Sequence, residues 1–347
     1  MLISLTRLSR LINMADRKNV LVVGGAGFLG SLLCERLVTK HNVICIDDFS
    51  SSAEKNINHL LKLPHFEFIN YDITKKIDLE KIPDLENFKV NIFGIKEIYN
   101  LACPTSVKNF EKLRMQTVYA NTKGMINMLD LAVKYKAKFM QFSSSVVYGE
   151  APRDEFIKED YRGVADMLDT RSCYDEGKRY AESIVDNYRK VHNLDTKVVR
   201  IFRTYGPRMM LDDGQMIPDF ILNALEGKDI VIYGSEEFRT SLCYVSDIVE
   251  GCIKLMSSSI NKPVNLGSTE VYKLADVARK IIELTGSTSQ IKFEGEKTFM
   301  RELALPDISA VKEEIGWFPL VILEDGLRKT VDFTRANKDL LTFSTDI

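Results

Sequence analysis

Residues 19–38 read NVLVVGGAGFLGSLLCERLV. Asn19–Val23 is a short, nearly unbroken apolar run, the pattern of a strand buried on both faces. The glycines that follow, Gly24, Gly27 and Gly30, are spaced G-x-x-G-x-x-G, with Phe28 and Leu29 between the last two. From about Phe28 to Thr39, Leu29, Leu32, Leu33 and Leu37 recur at helical spacing. A strand, a glycine turn and a helix in that order cradle a pyrophosphate. The glycines let the backbone come close, and the helix N-terminus presents N–H groups and the positive end of its dipole.

The next strand-like run, NVICIDD, ends in Asp47-Asp48, and Asp47 lies 23 residues after Gly24. A carboxylate there accepts hydrogen bonds from an adenosine ribose and repels a 2′-phosphate, so NAD is preferred over NADP. Asp72, in NYDI, is a candidate for the adenine amino group, and a solvated strand-end acid is nearly as good a reading. FEFINYD, EIYNLAC, KFMQFSSS and TKVVRIF continue the strand series, with helices expected at about 114–134 and 174–191. This order predicts an α/β fold: a Rossmann-type doubly wound parallel sheet over 19–206. After Gly206-Pro207 the rhythm breaks into helices near 215–226 and 273–285 and a strand at DIVIYG. Residues 207–347 are therefore expected to form a smaller C-terminal substrate-binding α/β region, with return segments to the main sheet possible.

Composition narrows the alternatives. Lys and Arg total 47 against 49 Asp and Glu, a formal charge of −2, so nothing global attracts nucleic acid or an anionic membrane. Six scattered cysteines without a C-x-x-C pair read as reduced core thiols. His41, His59, His65 and His192 form no pair at ligand spacing, which argues against structural zinc, and no metal is expected. Residues 1–18 carry arginine before any acid but hold no apolar span long enough to cross a bilayer. They are expected to be a flexible extension, or to precede a true start at Met14, on a cytoplasmic protein.

The chemistry is carried by two segments. KFMQFSSSVVYGE, residues 138–150, brings Ser143, Ser144 and Ser145 to the carboxyl end of a strand, where open α/β sheets bind ligands. CYDEGKRYAESIV, residues 173–185, sets Tyr174 and Lys178 four apart, on one face of a helix. A phenol with an ordinary pKa near 10 is a poor base at neutral pH unless positive charge favours the phenolate. Lys178 and an oxidised nicotinamide supply that charge. Ser144 then holds a substrate hydroxyl while Tyr174 takes its proton and the adjacent carbon gives up a hydride. The same helix presents Ala181, Ile184, Val185 and Tyr188, an apolar face that either a partner subunit or the chain itself must cover.

With these residues in hand, the chain resembles the extended short-chain dehydrogenase/reductase family, in its nucleotide-sugar branch, which includes UDP-glucuronic acid decarboxylase. The likeness spans about 19–335 and is densest in VVGGAGFLGSLLCERL, RSCYDEGKRYAES, YGPRMMLDDG and YVSDIVEGCIKLM. The resemblance implies that Gly24, Gly27, Gly30 and Asp47 hold NAD, with Leu101, Ala102 and Asn121 lining the cofactor. It makes Tyr174 and Lys178 the catalytic pair, assisted by Ser144, and puts Arg208, Tyr233 and Tyr244 in the part that resembles the nucleotide and sugar pocket; Ser145, Arg203 and Arg239 are further candidates for contact with the substrate. It also implies a UDP-linked sugar nucleotide as substrate, and a homodimer.

Four positions depart from the similar decarboxylases. Val146 stands where they have glutamate, and Arg203 where they have asparagine. Thr240 replaces an arginine whose nearest equivalent is Arg239, and the arginine close before Pro306-Asp307 is missing, with Arg301 farther away. Decarboxylation of UDP-glucuronate to UDP-xylose through a 4-keto sugar is the leading expectation. A nucleotide-sugar 4-epimerase, which needs no acid at 146, is the principal alternative. A 4,6-dehydratase or an impaired NAD-binding homologue comes after these.

Overall fold

Seven parallel strands form the centre of the molecule: β1 (Asn19–Val23), β2 (Asn42–Asp47), β3 (Phe66–Asn70), β4 (Glu97–Asn100), β5 (Lys138–Ser144), β6 (Thr196–Ile201) and β7 (Pro263–Leu266). They lie in the order β3-β2-β1-β4-β5-β6-β7. The order reverses between β1 and β4, and that reversal opens a crevice at the carboxyl ends of the strands. This computed structural model describes residues 17–105, 111–152, 155–211, 213–295 and 303–341, so Arg301 lies outside the described residues.

Alternation along the strands builds two cores. Val20, Val22, Val43 and Cys45 face one side, against α1 (Phe28–Val38), while Leu21, Val23, Ile44 and Ile46 face the other. That second side is covered by α2, residues 114–135, and by α3 (Ser172–His192). The expected helix at 114–134 is present, but its middle, Ala120–Gly124, is a π turn that periodicity did not predict. Ala181 and Val185 of α3 are buried inside this core, so the chain itself covers most of the face that could have been a subunit contact.

The C-terminal region holds α4 (Met216–Leu225), α5 (Val245–Ser257), α6 (Leu274–Thr285) and α7 (Leu323–Leu341). Two small strand pairs join them: Ile230–Tyr233 beside Ile291–Glu294, and Arg239–Ser241 beside Val271–Lys273. The apolar residues of α5 and α6 are continuous with the α1 side of the sheet, and β7 is itself the seventh strand. The chain thus crosses back after 206 and completes the main sheet. At the other end, Arg17 and Lys18 belong to the fold. Arg17 donates to the Val38 and His41 carbonyls, and Lys18 pairs with Glu97 at 3.0 Å. Among the described residues no helix is long and apolar enough to cross a membrane.

Candidate active site

A cavity of about 510 Å³ runs along the carboxyl ends of the strands, from the glycine loop to the first turn of α4. At the loop end it is lined by Gly24, Gly27, Phe28, Leu29 and Gly30. Gly24 has φ +77°, and a Cβ on Gly30 would stand 2.2 Å from the Gly24 carbonyl oxygen. Only glycine lets the turn pack this closely against the first turn of an eleven-residue helix, whose N-terminus suits a pyrophosphate. Asp47, Asp72, Leu101 and Ala102 line the same end. Asp47 accepts from Ala26 N at 2.9 Å, Phe49 N at 3.0 Å and Ser52 Oγ at 2.6 Å, which fixes its carboxylate against the loop. Burial raises its pKa, and the same donors oppose that rise. Asp72 accepts from the Thr74 amide and hydroxyl. The cradle and the fixed carboxylate together fit a dinucleotide.

The other end brings Ser144, Ser145, Tyr174 and Lys178 to one wall. The hydroxyl of Ser144 acts on the phenol of Tyr174 across this wall. Burial pushes the phenol well above its usual range, and the neighbouring Ser144 hydroxyl works against that. Lys178 is buried, donates to the Phe142 carbonyl at 2.9 Å, and holds its ammonium 5.6 Å from the Tyr174 ring centre. The third hydroxyl has a different use: Ser143 Oγ donates to Glu182 Oε1 at 2.5 Å. Glu182, one turn beyond Lys178, pairs with Arg200 at 2.7 Å, and Arg200 donates to Tyr148 Oη at 3.0 Å. Tyr148 in turn donates to Asn265 Oδ1 on β7 at 2.5 Å, and burial pushes its phenol up to about 12. This chain of polar groups ties α3 to β5, β6 and β7, one turn of α3 beyond Lys178.

Arg203 also lines the cavity. Five other candidates do not. Asn121 sits one layer back in the π turn, donating to the Thr117 carbonyl and to Cys103 Sγ at 3.1 Å. Arg208, at φ +72°, is bonded to Glu35 and Ser31 of α1. Tyr233 and Arg239 lie on the two small strand pairs, Arg239 opposite Lys273. Tyr244 is buried edge-on to Tyr205, ring centres 5.6 Å apart. Lining residues that the sequence reading missed include Arg171, Met209, Asp213 and Gln215. Arg171 was findable, three positions before Tyr174. The loop residues carry no periodic signal.

Residues 20–267 match the model of the NAD dependent epimerase/dehydratase family. UDP-glucuronic acid decarboxylase 1 of Xenopus tropicalis is 37% identical over 327 residues, 94% of this chain and 74% of that protein. The decarboxylase 1 of Arabidopsis thaliana is 35% identical over 316 residues, 91% of this chain and 69% of that protein. The UDP-glucuronic acid 4-epimerase of Bacillus cereus, solved with UDP-glucuronic acid and NAD, superposes with a TM-score of 0.80 at 26% identity, covering 92% of this chain and 99% of that one. The chain belongs to the NAD-dependent epimerase/dehydratase family. It is an NAD-dependent enzyme of the type that modifies nucleotide sugars.

Proposed function

We propose that the enzyme acts on UDP-glucuronate and interconverts the two configurations at C4. Both groups of relatives carry UDP-glucuronic acid in their names, which supports the substrate. The observation that carries the reaction is Val146, 3% exposed and lining the cavity directly after Ser145. Its isopropyl group can neither deliver a proton to C5 nor hold a water in the place where similar decarboxylases have a carboxylate.

In this reading Ser144 holds the C4 hydroxyl and Tyr174 takes its proton. The glycine loop and Asp47 would hold NAD, which would supply the hydride acceptor and donor. Buried Lys178 keeps positive charge beside the phenol while it is ionised. The sugar becomes a C4 ketone, turns over within the cavity, and receives its hydrogen on the other face. Tyr174 then returns the proton to oxygen. No bond at C5 or C6 breaks, so no second acid is needed.

Decarboxylation is the second reading, favoured by the 37% identity to a decarboxylase. A C4 ketone is β to the C6 carboxylate and accepts the electrons that departing CO2 leaves behind. Incubation with UDP-glucuronate and NAD separates the two by mass spectrometry and sugar NMR. A product of unchanged mass inverted at C4 is expected. Loss of CO2 would make the second reading correct, and no turnover of UDP-glucuronate would sink both. The assembly belongs to the same proposal: Met115 and Tyr119 on α2 and Tyr180 on α3 are exposed on helices that pack together, a surface suited to a second copy.

A further inference from the structure

The formal charge of −2 hides an uneven distribution. At the edge of the sheet opposite the cavity, where the strands begin, lysine recurs: Lys18 leads β1, Lys40 β2, Lys96 β4, Lys138 β5 and Lys262 β7. Backbone hydrogen bonds of 2.8 to 3.0 Å join these starts into one row. Asn42 N donates to the Lys18 carbonyl, Val43 N to that of His65, Lys96 N to that of Asn19, and Lys138 N to that of Lys96. Helices end at this edge too, and some of the cations serve them. Arg17 donates to the Val38 and Thr39 carbonyls at the end of α1, and Lys138 to the Met256 carbonyl near the end of α5. Glu97 answers Lys18, while Asp195 answers Lys138 and Lys197. Lys40, Lys96, Lys136 and Lys262 are then left over, all exposed and without an ion pair among the described residues.

Large apolar side chains stand exposed among them. Ile92, 69% exposed, and Phe93 end the short helix Val90–Phe93, and the next residue, Gly94, accepts from the Asn19 side chain at the start of β1 at 3.0 Å. Leu61 and Leu63 come just before His65, and Val191, 75% exposed, lies in the last turn of α3 ahead of β6. Nucleic acid offers phosphates to the lysines but no apolar phase for these side chains. A bilayer interface offers both: anionic headgroups meet the ammonium groups, and the acyl boundary takes the apolar tips. The sequence that enters the fold here, before Arg17, adds Arg7 and Arg10 ahead of its first acid, Asp16.

We infer that the edge formed by the strand starts is a docking surface for an anionic lipid bilayer. The cavity lies at the other ends of the same strands, so it stays open to solvent while this edge is seated. Nothing in the inference depends on which sugar the cavity takes.

Co-sedimentation of the full chain with phosphatidylcholine vesicles, with and without phosphatidylserine, tests it. Binding is expected to the anionic vesicles alone and to be lost at high salt. Lys96→Glu combined with Lys136→Glu is expected to lower the partition coefficient by about twentyfold or more, since each lysine near an anionic surface contributes about fivefold. Ile92→Ser combined with Phe93→Ser is expected to lower it by about tenfold while leaving retention on mixed-sequence duplex DNA unchanged. Wild-type NAD affinity and melting temperature in both double variants establish that they are folded. Failure to bind anionic vesicles, equal binding to neutral ones, or binding that survives both double variants would overturn the assignment. A serine variant that binds vesicles like the wild type, beside a glutamate variant that loses vesicles and DNA alike, would give the edge to nucleic acid instead.

Discussion

In the proposed mechanism Tyr174 sheds a proton near neutral pH, yet burial pushes its pKa up. On that mechanism the reaction depends on positive charge arriving beside the ring, part of it from Lys178. Tyr174→Phe is expected to cut substrate-dependent cofactor reduction by about a hundredfold to ten-thousandfold, read as absorbance of the reduced cofactor. Near-normal reduction would remove Tyr174 from the mechanism. The same burial predicts a pH dependence of folding. The unfolded phenol ionises near pH 10 and the folded one higher, so this contribution to stability is complete below about pH 10 and is lost as pH climbs toward the folded value. Alkaline denaturation of wild type against Tyr174→Phe reads the difference. At this scale the sequence was informative where chemistry is local: the glycine spacing, the serines, and a tyrosine and lysine one turn apart. It was silent on direction. Arg208 sits in a left-handed turn that points its side chain at Glu35, and no spacing rule foretells that.

Helix α3 carries the proposed catalytic pair on one turn and anchoring on the next, with Lys178 in the cavity wall and Glu182 bound to Ser143 and Arg200 behind it. Glu182 and Arg200 have side chains 13% exposed, so removing one partner strands a buried charge. Arg200→Leu is expected to cost about 3–5 kcal/mol, measured by urea denaturation. A loss within the range of ordinary surface substitutions would show that the pair is not an anchor. None of this network could be read in advance, because its members come from four elements and Asn265 lies 117 residues from Tyr148. The π turn in α2 was equally hidden, since an inserted backbone residue leaves the apolar spacing on either side intact.

For the molecule as a whole, the parallel sheet and its crevice followed from the alternation of apolar runs and helices, because each pattern reports which faces are buried. The dimer proposal belongs at this scale. Tyr180→Glu would put a charge into the proposed α2–α3 contact and is expected to convert a dimer to a monomer in light scattering. A variant that stays dimeric would move the contact elsewhere. The last strand was less legible in advance. β7 arrives 61 residues after β6 ends and lies against it, pairing Val264 with Val199 and Leu266 with Ile201. The consequence concerns solubility. Without the C-terminal region, β6 would be a bare parallel edge carrying unpaired amides beside buried Val198 and Val199, a template for another chain. The region that walls the far end of the cavity thus also keeps the N-terminal half from recruiting copies of itself, which gives the two halves a reason to have stayed on one polypeptide.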